Sequence, residues 1–166
     1  TDHERAEHDY YATEPLAADL LCDVEKFDGA IWENAVGEGH LSKRLKELGY
    51  NVIDTDLVDR GYGKGGVDFF KCKKTLAPNI VTNPPYNVAK EWTEHCLKLL
   101  PEGGKLALFL PIQFLESDKR RNLFKENPPK KVYVCVNRIL CGINGDFSAK
   151  DKQGNTLYNK DGSPKK

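Results

Sequence analysis

Two rhythms of apolar positions run through the chain: short continuous runs, and stripes spaced three and four residues apart. Leu16, Leu20, Leu21 and Val24 keep helical spacing, with Thr13 placed as an N-cap. "GAIWENAVGEGH" predicts a strand running into a glycine-rich turn. "LSKRLKELGY" predicts a helix with Leu41, Leu45 and Leu48 on one face and Gly49 as its stop. "NVIDTDL" reads as a second strand, and the loop "DRGYGKGG" leads to "VDFF", a short third strand or strand end. "NIVTN" is the fourth strand, followed by a helix, "VAKEWTEHCLKLL", with Val88, Trp92, Cys96 and Leu99 inward and Gly103-Gly104 as its stop. "KLALFLP" predicts a fifth strand, "SDKRRNLFKEN" a short helix ended by Pro128-Pro129, and "KKVYVCV" a sixth strand. Continuous apolar strands alternating with amphipathic helices predict an α/β fold, a mostly parallel sheet with helices on both faces. That pattern occupies residues 13–138 as one domain. Residues 1–12 read as a flexible N-terminal arm, and residues 139–166 as a loop or mobile C-terminal tail without a convincing strand.

Composition narrows the function classes. The 166 residues carry no net formal charge, so nothing draws the whole molecule toward nucleic acid, and such a partner needs a local basic patch. Lys119, Arg120 and Arg121 form one candidate patch, and Arg138 extends it; an ordinary solvated helix face is the alternative. The five cysteines are scattered and form no CxxC pair, which suits reduced thiols in a cytoplasm, and the dispersed histidines offer no metal spacing. No apolar run approaches the ~18 residues of a membrane span. A chain that opens at Thr1 and lacks methionine reads as a processed, trimmed or incomplete product.

A strand, then Gly37-Glu38-Gly39, then a helix, then a strand ending in Asp56 is the pattern of a nucleoside-binding crevice. The two glycines allow close approach of backbone to ligand, although glycine turns also serve structure alone. Asp56 follows Gly37 at about the 20-residue spacing of a ribose-binding acid. A phosphate fingerprint needs a third glycine, and Ser42 stands there; Glu33 and Glu38 would also repel a pyrophosphate. The ligand expected is a nucleoside without phosphate, with room for positive charge. Asp68 and Phe69 at the next strand end suit an adenine amino group and ring face, with Phe69 or Phe70 as core the alternative. His40 reads as a packing or capping residue rather than a catalyst.

"NPPY", Asn83 to Tyr86, follows the fourth strand directly. Proline lacks an N–H, fixes its own φ and restricts its neighbour, so two in succession end the ladder and leave acceptors aimed by a rigid turn. An exocyclic amine on an aromatic base is a poor nucleophile because its lone pair is delocalised. Two acceptors, the Asn83 side-chain oxygen and the Pro84 carbonyl, would hold its protons in the tetrahedral form, with Pro85 rigidifying the frame. Tyr86 adds a ring for stacking an extruded base. Gln113 and Phe114, after the fifth strand, are candidates for the target pocket or the core.

These residues resemble a known family. "NPPY" matches the catalytic motif of S-adenosylmethionine-dependent amino-methyltransferases, and "ENAVGEGH" resembles their cofactor loop. "YYATEP" is similar to the segment that closes over the methionine part in adenine-N6 DNA methyltransferases. "IQFLESDKRR" and "VYVCVNRI" look most like small phage- or prophage-encoded members. The resemblance spans Tyr10 to Arg138 and implies a Rossmann-like class I methyltransferase fold and methyl transfer to an amino nitrogen, N6 of adenine in DNA first. RNA, a protein glutamine, cytosine N4, or a non-catalytic cofactor-binding role remain the alternatives. It implies that Tyr11, Thr13, Glu33, Ala35, Gly37 and Gly39 cradle the cofactor's amino-acid end, Asp56 its ribose, and Asp68 and Phe69 its adenine. It implies catalytic roles for Asn83, Pro84, Pro85 and Tyr86, and no metal. The family's seventh strand, antiparallel beside the sixth, has no counterpart after Val136.

Overall fold

A computed structural model of the chain describes residues 12–137, 139, 141–142, 147–148, 153, 155–161 and 163–165. Its elements in chain order are β1 (Ala12–Thr13), α1 (Leu16–Val24), β2 (Ile31–Glu33), α2 (His40–Glu47), β3 (Val52–Asp54), β4 (Asn79–Thr82), α3 (Ala89–Leu99), β5 (Leu106–Leu108), α4 (Arg121–Glu126) and β6 (Cys141–Gly142). Four strands form one all-parallel sheet in the order β3-β2-β4-β5, so the chain is α/β.

The period-2 alternation of the strands sorts the core onto two faces. Ile31, Val52 and Val81 point to one side and join Ala18, Cys22, Leu41 and Leu45 of α1 and α2. Trp32 and Ile80 point to the other side and join Trp92 and Cys96 of α3. The register agrees, with Ile31 opposite Val52, and Trp32 opposite both Ile53 and Ile80. Each fully buried side chain of this size contributes about 1.5–3 kcal/mol relative to exposure. The sheet is thus covered on both faces by the helices whose stripes the sequence predicts.

Helix α2 ends as expected. Gly49 takes a φ of 93°, its N–H donates to Lys46, and the Tyr50 N–H donates to Leu45. That is a Schellman stop, which satisfies two terminal carbonyls.

Several expectations are corrected. Thr13 is not the cap of α1: Pro15 stands at that position with φ −54°, already helical, and Thr13 belongs to β1 instead. "VDFF" is no strand; Phe69–Lys71 form a 3-10 turn because the Asp68 side chain accepts the Phe70 N–H at 3.1 Å. Helix α3 stops at Leu99, where Pro101 forbids continuation, before Gly103 is reached. "KKVYVCV" forms no strand either. Val132, Tyr133, Val134 and Val136 are exposed, without a ladder partner among the described residues, and β5 remains a sheet edge. This segment is tied back by Glu25, which accepts from Lys131 at 2.6 Å and from Tyr133 at 2.7 Å. Beyond it, where no strand is expected, Cys141–Gly142 pair antiparallel with Ala12–Thr13. Residues 1–11 of the expected arm lie outside the described residues.

Candidate functional site

The carboxyl ends of β2, β3 and β4 surround one cavity, where open parallel sheets present their loops. Its lining includes Thr13, Glu33, Ala35, Asp56 and all four residues of Asn83-Pro84-Pro85-Tyr86. These predicted residues are therefore brought together. Gly37, Gly39, Asp68 and Phe69 do not line it. Tyr11 lies outside the described residues.

Glu33 closes β2 at 2% exposure, and its Oε2 is buried without a hydrogen-bond partner. Burial pushes its carboxyl well above the ordinary 4.5, and the charges of Asp54 and Asp56 push it further; Lys46 and the Ser42 backbone N–H oppose this. The other carboxylates are compensated. Asp54 accepts the Ser42 hydroxyl at 2.6 Å and pairs with Lys46. Asp56 accepts the N–H of Gly37 at 2.8 Å through Oδ2 and that of Val58 at 2.9 Å through Oδ1, with Arg60 3.4 Å away. A carboxylate has about four lone-pair sites, so Asp56 keeps capacity for further donors. An added cation would find an uncompensated acid at Glu33, whereas a pyrophosphate would meet carboxylates.

The glycine turn works differently from the expectation that both glycines admit a ligand. Gly37 and Gly39 take φ of 56° and 82°, values that disfavour any side chain. What approaches Gly39 is the Tyr62 ring: a Cβ there would fall within 2.7 Å of Tyr62 Cγ and closer still to Cδ1 and Cε1. Lys43 and Lys46 stand 4.7 and 5.1 Å from the ring centroid, and Lys46 donates to the Tyr62 hydroxyl at 3.0 Å. Tyr62 thereby pins the loop that delivers Leu57, Val58 and Arg60 to the cavity.

On the opposite wall, Asn83 donates through Nδ2 to Thr13 Oγ1 at 2.8 Å, while its Oδ1 is buried and unpaired. Pro84 is buried beside it, and Tyr86 opens a 3-10 turn into α3 with its hydroxyl 3.6 Å from Cys141 Sγ. Trp92 donates to the Asn34 side chain at 3.1 Å, and both line the floor of the same cavity. Asp68 caps its own turn and pairs with Lys71 at 3.1 Å. Phe69 is buried at 2% exposure, stacked 4.4 Å from Trp92, because the apolar cluster under α3 claims the ring.

No protein-family model, curated protein or solved structure matches the chain.

The proposed basic patch is only partly available. Arg120 turns inward, donating to the carbonyls of Phe114, Gln113 and Glu116 and lying over the Phe114 ring. Arg121 pairs with Asp118 at 2.6 Å on the surface. Lys119 sits in the 3-10 turn Asp118–Arg120, and Arg138 lies outside the described residues. Gln113 is exposed, and Phe114 packs edge-on against Phe124.

Sequence reasoning missed Asn34, Leu57, Val58 and Arg60. Arg60 stands four residues after Asp56 and comes within 3.4 Å of it across a loop, where that spacing carries no signal in the sequence. Leu57 carried a signal, an apolar residue directly after a strand-end acid; it is 58% exposed at the rim. His40 opens α2 and lines the cavity, its ring 5.6 Å from Phe147 and its pKa lowered by burial, in keeping with a packing role. Among the described residues no group of three or more metal-ligating side chains converges, and no helix is long and apolar enough to cross a membrane.

Proposed function

We propose that the chain is an S-adenosylmethionine-dependent amino-methyltransferase of the Rossmann-like class I fold, acting first on adenine N6 in DNA. The observation that carries this reading is that two carbonyl-type acceptors, Glu33 Oε2 and Asn83 Oδ1, are buried without a partner in one cavity, which His40 Nδ1, also unpaired, lines beside them. A buried polar atom without a partner costs about 1–3 kcal/mol, so both call for a ligand that brings donors or positive charge. A nucleoside bearing an ammonium and a sulfonium fits the first, and an amine fits the second.

When bound, S-adenosylmethionine supplies an electrophilic methyl carbon on a sulfonium. Glu33 and the Ala35 backbone would face its amino-acid end, Asp56 its ribose, and Leu57 with Val58 the apolar face of its adenine. Asn83 Oδ1 and the Pro84 carbonyl would accept the two protons of the target amine, keeping its lone pair directed at the methyl carbon, with the rigid turn needing no reorganisation. Tyr86 would stack on the base. Pro85 fixes the turn; the positive charge would pass with the methyl group to the amino nitrogen, which would then release one of its own protons to water, and a closed cavity would favour this spreading of charge over the localised sulfonium.

The test is tritiated S-adenosylmethionine with unmethylated DNA, structured RNA or protein, followed by nucleoside and amino-acid analysis. N6-methyladenine in DNA is expected. Label confined to RNA or protein overturns the DNA assignment, and no transfer beside intact cofactor binding favours a supporting subunit. Asn83→Ala is expected to abolish transfer with near-normal cofactor binding; equal loss of binding by calorimetry refutes the division of roles.

A further inference from the structure

We propose that Thr13 and Cys141 form a clamp that orients the Asn83 side-chain amide, making Thr13 a positioning residue for the acceptor. This rests on the reading of Asn83 as the group that receives the target amine. The two ends of a carboxamide are nearly the same size, and its neighbours decide which end enters a cavity. For Asn83, Nδ2 lies 2.8 Å from Thr13 Oγ1 and 3.9 Å from Cys141 Sγ, so two acceptors stand within reach of the amide nitrogen, one for each of its two protons in the clamp. Oδ1 is left buried and unpaired. The reverse orientation would present N–H donors to an amine that also needs to donate, and transfer would lose its acceptor.

The two clamp residues come from distant parts of the chain, 70 and 58 positions from Asn83. They meet because they are register partners in the antiparallel pair of β1 and β6. Directly opposed residues in such a pair project to the same face, so Thr13 and Cys141 reach one side chain together. Thr13 is 5% exposed, and the Tyr86 hydroxyl lies against the same Cys141 sulfur at 3.6 Å. Thr13 therefore serves the amine wall of the cavity rather than the cofactor end that the sequence resemblance implies for it.

The experiment combines asparagine-selective 15N NMR with kinetics on the full chain. The Asn83 amide signals are identified by their loss in Asn83→Asp. Thr13→Val removes the acceptor at almost constant volume; it is expected to shift these signals and speed their exchange with water, and Thr13→Ser to restore both. Unchanged Asn83 signals in Thr13→Val overturn the clamp. If Thr13→Val does not fold, Cys141→Ala decides: a shift of one of the two amide protons is expected, and two unchanged protons overturn the pair. In the transfer assay Thr13→Val is expected to lower kcat about tenfold or more, with the dissociation constant of S-adenosylmethionine within about twofold and Thr13→Ser near the parent. A dissociation constant that rises in step with the fall in kcat makes Thr13 a cofactor ligand and overturns the proposal. If the parent methylates nothing, the methyl-transfer reading fails, and the amide signals still decide the clamp.

Discussion

Substituting Gly39 by alanine tests whether the glycine turn is shaped by Tyr62 or by a ligand. Two costs are separable. Alanine held at φ 82° bears the left-handed penalty, about 1–2 kcal/mol. Its Cβ also falls within 2.7 Å of the Tyr62 ring, where carbon atoms prefer about 3.5–4.0 Å, so the ring retreats by about 1 Å. Retreat weakens the cation–π contacts with Lys43 and Lys46, about 0.5–1 kcal/mol each at a partly exposed site, and the Lys46 hydrogen bond, about 1 kcal/mol. Gly39→Ala should therefore cost up to about 3–5 kcal/mol in the parent. In a Tyr62→Ala background only the backbone part, about 1–2 kcal/mol, should remain. Urea unfolding followed by fluorescence of the buried Trp32 and Trp92 measures all four corners of the cycle. A coupling energy below about 0.5 kcal/mol, the level of independent sites, would refute the packing account and return Gly39 to a role in ligand approach.

Other expectations follow from charge. Glu33 has a raised folded pKa, so its contribution to stability is fully present below its ordinary 4.5 and is lost as pH rises through the folded value. Glu33→Gln should then melt higher than the parent at pH 8 and close to it at pH 4; parallel melting curves across that range would discard the buried acid. Glu25 is the opposite case: hydrogen bonds from Lys105, Lys131 and Tyr133 hold it down to about 2. Its contribution is present above the ordinary 4.5 and is lost as pH falls toward 2, so Glu25→Gln should lower the melting temperature at pH 7 and flatten the acid limb. The same variant should speed amide exchange over residues 131–136, and unchanged exchange there would mean Glu25 does not tether them. Asp56→Ala is expected to weaken S-adenosylmethionine chiefly, and an unchanged dissociation constant would remove Asp56 as a ribose ligand. It also removes the partner of two backbone N–H groups, so its stability has to be measured beside its affinity.

The parallel sheet was legible because buried strands leave a signal that distance does not erase. Ile31-Trp32, Val52-Ile53 and Ile80-Val81 are apolar on both sides, and both sides are indeed covered. The helix stripes were legible for the same reason: Leu41 and Leu45, or Trp92 and Cys96, share a face whatever lies opposite. The failures occur where a partner outside the local window decides. Val132, Val134 and Val136 have the β-branched alternation of a strand, but a strand exists only with a ladder beside it. Thr13 is an ordinary capping residue type; Pro15 starts the helix, and β6, more than a hundred residues on, takes Thr13 as a strand partner.

The candidate site divides along the same line. Asn83 was legible because its rigidity is written locally: two prolines after a buried strand fix the turn whatever the rest of the chain does. Glu33 and Asp56 were legible as strand-end acids near a glycine turn. Their state was not, because the raised pKa of Glu33 comes from burial and from Asp54 at the end of the next strand and Asp56 in the loop just beyond it. The roles of Gly39 and Phe69 stayed open between ligand and structure for the same reason. Each residue type suited a ligand, and in the fold each has a protein neighbour instead: Tyr62 over Gly39, and Trp92 on Phe69. Spacing along a sequence therefore identifies groups able to do chemistry, while long-range contacts decide which atoms of those groups stay unsatisfied. Asn83 shows both halves in one side chain. Its place was set by the residues next to it, and the freedom of its oxygen by Thr13 and Cys141, which engage its nitrogen.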